Sequence, residues 1–128
     1  MNSIDKNFLK DSYYINRLKL CTIRLINNSK FPWIILIPNR KNKTDITDLN
    51  SKDQILLIKE IVHCSKLMKK IFKTSKLNVE KIGNKVPQLH IHIIARFKKD
   101  SSWPLSVWVV KGKPYTAKAL SETISKIN

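Results

Sequence analysis

The pattern of hydrophobic and polar positions predicts four β-strands and two helices. Short apolar runs rich in β-branched residues predict strands at residues 22–26 (TIRLI), 33–37 (WIILI) and 76–80 (KLNVE). The sequence NNSKFP between the first two indicates a hairpin turn, and residues 38–50 form a polar connection. The fourth strand, residues 89–97, lies in the run VPQLHIHIIARF, where two histidines alternate with apolar side chains.

A long amphipathic helix is predicted from Ser51 onward, because Ser51 and Gln54 have the spacing of a capping box. Apolar residues recur at helical spacing and are expected to face the core, namely Ile55, Ile58, Ile61, Val62, Cys64, Leu67, Met68, Ile71 and Phe72. Polar residues fall on the opposite arc and are expected to face solvent, namely Lys59, Glu60, His63, Lys66 and Lys70.

The last part of the chain, residues 101–128, contains SSWPLSVW and then PYTAKALSETISKI. The second segment has helical composition, with Pro114 near its start. Strands that flank one long helix predict an α+β domain, with an antiparallel sheet and the helix packed on one face. At 128 residues the chain is expected to form a single domain with one core.

The alternation in the fourth strand predicts a two-faced segment, because successive side chains of a strand point to opposite faces. One face is expected to enter the core beneath the helix and carries Leu89, Ile91, Ile93 and Ala95. The other face carries Gln88, His90, His92 and Ile94. Neighbours on the same face lie about 6.5–7 Å apart, a spacing that suits a row of polar groups along successive phosphate oxygens.

Three interpretations of the histidine row are open. The histidines cover an exposed sheet face, or they share a zinc ion, or one of them is a nucleophile towards phosphorus. A zinc site needs further ligands, and no suitable residues lie nearby in the sequence. The loop before the strand favours the nucleophile, because Gly83 lets backbone amides approach an anion and Asn84 adds a neutral hydrogen-bonding group.

The net charge is +16, from 25 lysines and arginines against 9 acidic residues. Such a charge attracts anions, and nucleotides, nucleic acids and anionic membranes are the candidate partners. The basic residues are spread over the whole length without a dense basic arm, so nucleic acid is not expected as the primary partner. A basic RNA-associated protein stays the alternative outside enzyme chemistry.

The two cysteines, Cys21 and Cys64, have no paired-motif spacing and are expected to be reduced thiols in a cytoplasmic protein. The start of the chain, MNSIDKNFLK, lacks the apolar segment of a secretory signal. The longest apolar stretches are far shorter than the roughly 18 residues needed to cross a bilayer, so no membrane association is expected.

The segment QLHIHII resembles the signature of the histidine triad (HIT) superfamily, His-φ-His-φ-His-φ-φ with φ apolar, with Gln88 in place of the first histidine. FPWIILIP, ITDL, KLNVEKIGNKVPQLHIHIIAR and the later SSWPLSVW are also similar to a bacterial subgroup of HIT-domain proteins. The resemblance covers about residues 8–108 of a single HIT-like domain spanning residues 1–128, and it leaves residues 109–128 as a tail.

The resemblance implies a HIT fold, a mainly antiparallel sheet of about five strands with one long helix packed on it and a C-terminal helical tail. It also implies a homodimer that acts on a purine nucleotide or nucleotide conjugate without a metal or other cofactor. HIT proteins hydrolyse or transfer nucleoside monophosphates from phosphoramidates, dinucleoside polyphosphates or related adenylylated compounds.

By position in the motif, His90 matches the nucleophile that attacks the α-phosphorus and forms a nucleotidyl-histidine. His92 matches the third histidine, which contacts a phosphate oxygen and the leaving group. The resemblance assigns nucleotide or phosphate binding to the residues of the neighbouring segments, namely Asn78, Gly83, Asn84 and Trp103. Trp103 lies in a WP pair similar to the family segment that lines the nucleotide site. Trp33 is expected in the core, and Trp108 in the core or the dimer interface.

Two departures from the family pattern bear on turnover. Gln88 cannot change charge, so a proton relay through the first histidine is absent, although its amide still donates and accepts hydrogen bonds. Where many relatives carry a further histidine, this chain has the polar run 39–42, in which Arg40 is a candidate for stabilising phosphate charge. A nucleotide-binding or sensing protein with little turnover is therefore the second hypothesis.

Overall fold

The computed structural model describes residues 4–128, and five of its strands form one antiparallel sheet in the order β1-β2-β3-β5-β4. The strands are β1 (Ser12–Arg17), β2 (Cys21–Ile26), β3 (Trp33–Pro38), β4 (Lys76–Glu80) and β5 (Ile91–Arg96). The helices are α1 (Lys6–Asp11), α2 (Ser51–Phe72) and α3 (Ala117–Ile127), with single 3₁₀ turns at Ile46–Asp48 and Val107–Val109. The predicted α+β architecture is confirmed.

The strands predicted from apolar runs are present within one or two residues at each end. The strand of the histidines starts later than predicted, at Ile91, because Leu89 donates its backbone N–H to Lys43 O at 2.9 Å, outside the sheet. The first strand, β1, was not predicted. Its exposed tyrosines, Tyr13 and Tyr14, and the register shift between Tyr14 and Asn16 explain why the alternation is weak there.

The main core lies between one face of the sheet and the helices α2 and α3. The inward face of β5 enters this core as predicted, with Leu89, Ile91, Ile93 and Ala95 all buried. From α2, Leu57, Cys64 and Met68 are buried against it, and α3 adds Ile127. The opposite face of β5 is therefore directed away from α2, towards the candidate site.

The start of α2 differs from the predicted capping box. Asn50, not Ser51, is the N-cap, and its side chain accepts a hydrogen bond from the backbone N–H of Asp53 at 2.9 Å. Gln54 instead donates its side-chain amide to Leu49 O at 2.8 Å. Asparagine caps as well as serine does, so the sequence signal was displaced by one residue.

For four residues of α2, the prediction of whether the side chain faces the core or the solvent is wrong. Glu60 was expected in solvent but is 6% exposed, and its carboxylate accepts the backbone N–H groups of Leu20 and Cys21 at 2.8 and 2.9 Å. Ile55, Ile58 and Val62 were expected in the core but are about half exposed. The helix is turned so that Glu60 satisfies the N–H groups at the start of β2, and this places an apolar row on its outer surface. His63 is exposed, as expected.

The other face of the sheet carries two smaller apolar clusters. One contains Phe31, Trp33, Ile94 and Val107, and the other contains Phe8 of α1 together with Ile35 and Ile37 of β3. No helix between residues 4 and 128 is both long and apolar enough to cross a bilayer.

Candidate functional site

A cleft of about 530 Å³ lies on the face of the sheet opposite α2. Its walls come from α1, from the ends of β2 and β3, from the loop before β5 and from the 3₁₀ turn at Val107–Val109. The lining residues are Asn7, Phe8, Asp11, Ile26, Trp33, Ile82, Gly83, Asn84, Lys85, Val86, His90, His92 and Trp108. The structure thus brings together four of the sequence-predicted site residues, His90, His92, Gly83 and Asn84.

His90 lies just before β5 and is 5% exposed. Its Nδ1 is 2.7 Å from the backbone carbonyl oxygen of Gln88. A carbonyl only accepts hydrogen bonds, so Nδ1 carries the proton and Nε2 carries the lone pair. Burial lowers the pKa of His90, the hydrogen bond to Gln88 opposes that effect, and Lys81 adds to the lowering. His90 is therefore a neutral imidazole at neutral pH, with Nε2 as its basic nitrogen.

His92 has the opposite tautomer. The indole Nε1 of Trp33 lies 3.0 Å from Nδ1 of His92, and an indole N–H only donates. Nδ1 of His92 therefore accepts, and its Nε2 carries the proton. Burial, with a smaller effect of His90, lowers the pKa of His92 to about 3. The two rings lie edge to face with centroids 4.8 Å apart, so a nucleophilic nitrogen and a hydrogen-bond donor lie side by side.

Aromatic side chains hold both imidazoles in place. Phe8 meets the ring of His90 edge to face at 4.6 Å, and Trp108 meets the ring of His92 at 5.3 Å. Trp108 is positioned by its indole N–H, which donates to Glu80 Oε1 at 2.9 Å. Because Glu80 pairs with His92 across β4 and β5, this hydrogen bond ties Trp108 to the strand that carries the site.

The loop between β4 and β5 forms one rim of the cleft. Gly83 has a φ of +73°, the left-handed region that favours glycine. Asn84 follows it and is exposed. Lys85 is also exposed on this rim, and Lys81 forms an ion pair with Asp45 nearby. Lys85 is the basic side chain of the lining, and a basic side chain beside neutral imidazoles attracts a phosphate group.

Gln88 does not line the cleft directly. Its side-chain Oε1 accepts the backbone N–H of Asp5 at 2.8 Å, and its backbone carbonyl accepts the proton of His90. It therefore connects the segment before α1 to the nucleophile candidate.

Asn78 and Trp103 lie outside the cleft lining, beside the buried guanidinium of Arg96. Arg96 donates to Asn78 Oδ1 at 2.6 Å and forms a bidentate pair with Asp100 at 2.8 and 3.1 Å. The guanidinium carbon lies 5.5 Å from the centroid of the Trp103 ring. Burial raises the pKa of Asp100, but the hydrogen bonds from Arg96 and from the backbone N–H groups of Phe97, Ser102 and Trp103 together lower it to about 2.

Arg40 is likewise outside the lining. Its guanidinium pairs with the buried carboxylate of Asp53 at 2.7 and 3.1 Å, near the start of α2. Among residues 4–128, no group of three or more histidine, cysteine or acidic side chains is arranged to hold one metal ion.

Three aromatic residues at the site were not predicted from the sequence, namely Phe8, Trp33 and Trp108. Trp33 was correctly expected to be buried, but its polar N–H turned out to decide the tautomer of His92. Trp108 was expected in the core or at the dimer interface; it is 52% exposed, so it is not in the core, and it lines the cleft. The one signal in the sequence was the presence of tryptophans, which pair a large apolar body with a donor that needs a partner.

The fold and the sequence are similar to those of known proteins. A histidine triad (HIT) protein from Sinorhizobium meliloti is 33% identical, with a TM-score of 0.95 over 98% of this chain and 93% of that one. A histidine triad protein from Bradyrhizobium japonicum is 36% identical, with a TM-score of 0.95 over 98% and 94%. One from Marinobacter aquaeolei is 32% identical, with a TM-score of 0.96 over 100% and 94%. No curated protein matches the chain.

The model of the HIT domain matches residues 8–99, which is most of the chain. This family includes nucleotide hydrolases and transferases, and its members bind nucleotides. The matched region contains both imidazoles, the glycine loop and the last four residues of α1. The chain therefore belongs to the HIT-domain family.

Proposed function

We propose that this protein is a nucleotide hydrolase or nucleotidyl transferase in which His90 attacks the α-phosphorus of a nucleotide conjugate. The single observation that carries the proposal is the tautomer of His90. Its Nδ1–H is held by the carbonyl of Gln88, so Nε2 presents a lone pair at the wall of the cleft. Attack by Nε2 gives a nucleotidyl-imidazolium whose Nδ1–H stays bonded to that carbonyl, which stabilises the positive charge.

The neighbouring groups stabilise the negative charge of the phosphate. In the proposed complex, His92 donates from Nε2, and the backbone amides of Gly83 and Asn84 bind the anion from the loop. The apolar walls formed by Phe8 and Trp108 suit the base of a purine nucleotide, and the volume of about 530 Å³ lies in the range of small-molecule sites. Candidate substrates are nucleoside phosphoramidates and dinucleoside polyphosphates.

A second candidate function is nucleotide binding or sensing with little turnover. Gln88 favours it, because an amide in this position cannot relay a proton and here accepts the N–H of Asp5. Tight binding of a nucleoside monophosphate without release of product across a substrate panel would favour this function over the first.

The test is mass spectrometry of the protein mixed with nucleoside phosphoramidates and dinucleoside polyphosphates. The expected result is an adduct of one nucleoside monophosphate on His90, which disappears in the His90→Asn variant. His63→Asn is the matched control, because His63 is an exposed histidine on α2, on the other side of the sheet. If the His90→Asn protein forms the adduct and cleaves substrate as fast as wild type, His90 is not the nucleophile.

We further propose that the protein is a homodimer that uses the outer face of α2. Ile55, Ile58 and Val62 form an exposed apolar row there, and Val79 on the edge strand β4 is 49% exposed. Exposed apolar rows and sheet edges are surfaces that proteins cover by association. Sedimentation should show a dimer that Val62→Lys shifts to monomer, whereas the control Leu105→Lys, at another exposed apolar position, should leave it unchanged.

The cytoplasm is the compartment we propose, because both cysteines are free thiols buried in the core.

A further inference from the structure

The hydrogen bond from Trp33 to His92 limits what His92 can do during the reaction. Its Nδ1 accepts the indole N–H, so a second proton on that nitrogen would face a donor and lose the bond. His92 therefore stays neutral and can offer the Nε2–H as a hydrogen-bond donor. Giving that proton away completely would leave an imidazolate in a buried site, which is a strongly unfavourable species.

The other two polar groups of the histidine motif cannot supply a proton either. The proton of His90 is on Nδ1 and is held by the carbonyl of Gln88 at 2.7 Å, away from the attacking nitrogen. The side chain of Gln88 is an amide without an acid–base function near neutral pH. The motif thus offers hydrogen bonds to a departing group but no transferable proton.

Charged residues around the cleft do not replace the missing acid. Asp11 lines the cleft, and Glu80 accepts the indole N–H of Trp108. Lys81 is engaged with Asp45. Lys85 is the remaining charged group of the lining, and it lies exposed on the rim of the loop.

We propose that the site selects nucleotidyl phosphoanhydrides, whose leaving group departs as a phosphate oxyanion, over phosphoramidates, whose leaving amine needs a proton. This inference rests on the proposed function, since it takes His90 as the nucleophile. The lone pair on Nε2 of His90 forms the bond to the α-phosphorus, and the phosphorus–oxygen bond to the leaving phosphate breaks. The electron pair of that bond stays on the leaving oxygen, which accepts the hydrogen bond from Nε2–H of His92.

The second step, hydrolysis of the nucleotidyl-histidine, likewise needs no general acid. Water attacks the phosphorus, the phosphorus–nitrogen bond breaks, and its electron pair returns to Nε2 of His90. The proton of the water passes to solvent as the nucleoside monophosphate leaves. An amine leaving group differs, because breaking its phosphorus–nitrogen bond without protonation would release an amide anion, a far stronger base than phosphate. General acid catalysis supplies about 10²- to 10⁴-fold in such steps.

Trp33 is the positioning residue in this scheme. It does not act on the substrate, but its indole N–H fixes Nδ1 of His92 as the acceptor and Nε2 as the donor. Trp33→Phe retains an aromatic ring and removes this donor, so the tautomer is no longer fixed, while burial still keeps the ring neutral. The variant should react more slowly with the polyphosphate, because Nε2 of His92 no longer always carries the hydrogen that the leaving oxygen accepts.

The experiment compares kcat/KM for a dinucleoside polyphosphate and for an alkylamine phosphoramidate of the same nucleoside at pH 7. The wild type should favour the polyphosphate by about 100-fold or more. In Trp33→Phe this preference should fall by about tenfold, through a slower reaction of the polyphosphate. Lys85→Met should leave the preference of the wild type in place. Imidazole nitrogen NMR should show Nδ1 of His92 unprotonated in the wild type, with His63 as the exposed reference.

Equal rates on the two substrates in the wild type would overturn the inference, and so would a protonated Nδ1 of His92. A phosphoramidate rate that Lys85→Met abolishes would identify Lys85 as the acid, with the same consequence. An unchanged preference in Trp33→Phe would show that the indole does not set it. The proposed function fails separately, when neither substrate gives an adduct on His90.

Discussion

The burial of His92 predicts a specific loss of stability in mild acid. Its ring is 5% exposed, and its pKa is lowered to about 3, mainly by burial and in part by His90. A histidine in an unfolded chain has a pKa of about 6.5. Below that pH the unfolded chain binds a proton that the folded protein does not bind. The contribution of the neutral His92 to the free energy of unfolding is therefore fully present above pH 6.5 and is lost as the pH falls towards 3.

The size of this loss of stability follows from the difference between the pKa of His92 in the unfolded chain and in the folded protein. Each pH unit below 6.5 removes about 1.4 kcal/mol for one proton. Between pH 7 and pH 4.5 the free energy of unfolding should fall by roughly 2.5 kcal/mol from His92 alone. This interval lies above the folded pKa of His92, so the folded protein takes up almost no proton on this ring.

Urea denaturation of the wild type and of His92→Gln, at several pH values from 7 to 4.5, isolates this effect. Glutamine retains an acceptor for the indole of Trp33 but does not titrate. Carboxylates titrate in both proteins and cancel in the difference. The difference in the free energy of unfolding between the two should shift by roughly 2.5 kcal/mol in favour of the variant. His63→Gln is the control for the substitution itself and should run parallel to wild type.

The reasoning about burial is refuted if the curves of wild type and His92→Gln stay parallel within about 0.5 kcal/mol over this range, against the roughly 1.4 kcal/mol per unit expected. That outcome would mean that the imidazole takes up a proton in the folded protein as easily as in the unfolded chain.

Three further substitutions or reagents test other parts of the structure. Glu60→Ala leaves two buried N–H groups without acceptors and should lower the free energy of unfolding by about 2–4 kcal/mol in urea denaturation, against little change for the exposed Lys59→Ala. Burial raises the pKa of Cys21, and burial and Glu60 raise that of Cys64 to about 12, so a thiol reagent should label both only after unfolding. Rapid labelling of the folded protein would contradict this burial. Gly83→Ala forces a side chain into the left-handed region and should cost about 1–2 kcal/mol and weaken nucleotide binding, seen by calorimetry.

The sequence predicted the two-faced β5 well because its alternation is strict. A period of two leaves a strand one way to bury its apolar residues, so the inward and outward sets around Ile91 and His92 were determined before the sheet was known. The glycine loop was also predictable, since Gly83 lies shortly before the motif and its φ of +73° is in the region that favours glycine.

The face of α2 could not be predicted with the same certainty. Apolar residues occupy more than half of its circumference, and the pattern alone did not say which of them would be covered. What decided the rotation was Glu60, whose carboxylate is required by two backbone N–H groups of another segment. A contact with residues 40 positions away has no local signal.

The tautomer of His92 could not be predicted from the sequence either. Trp33 and His92 are 59 residues apart, and only the pairing of β3 with β5 brings the indole to the imidazole. Propensities and periodicity describe where a side chain points, not which atom it meets. Trp103 illustrates the same limit, because nothing in the sequence indicates that its ring lies against the guanidinium of Arg96.

One face of β5 lies in the main core and the other lines the cleft, so a substitution in the core also affects the side chains of the site. Ile93 follows His92 in the chain and is completely buried under α2. Its packing therefore sets the distance between β5 and the helix. A smaller residue there would leave a cavity, and the strand with its imidazoles would be able to shift. Laboratory evolution of new specificity should therefore draw its mutations from α1 and the turn at Val107–Val109, which approach the cleft from outside the sheet, and should leave this strand unrandomised.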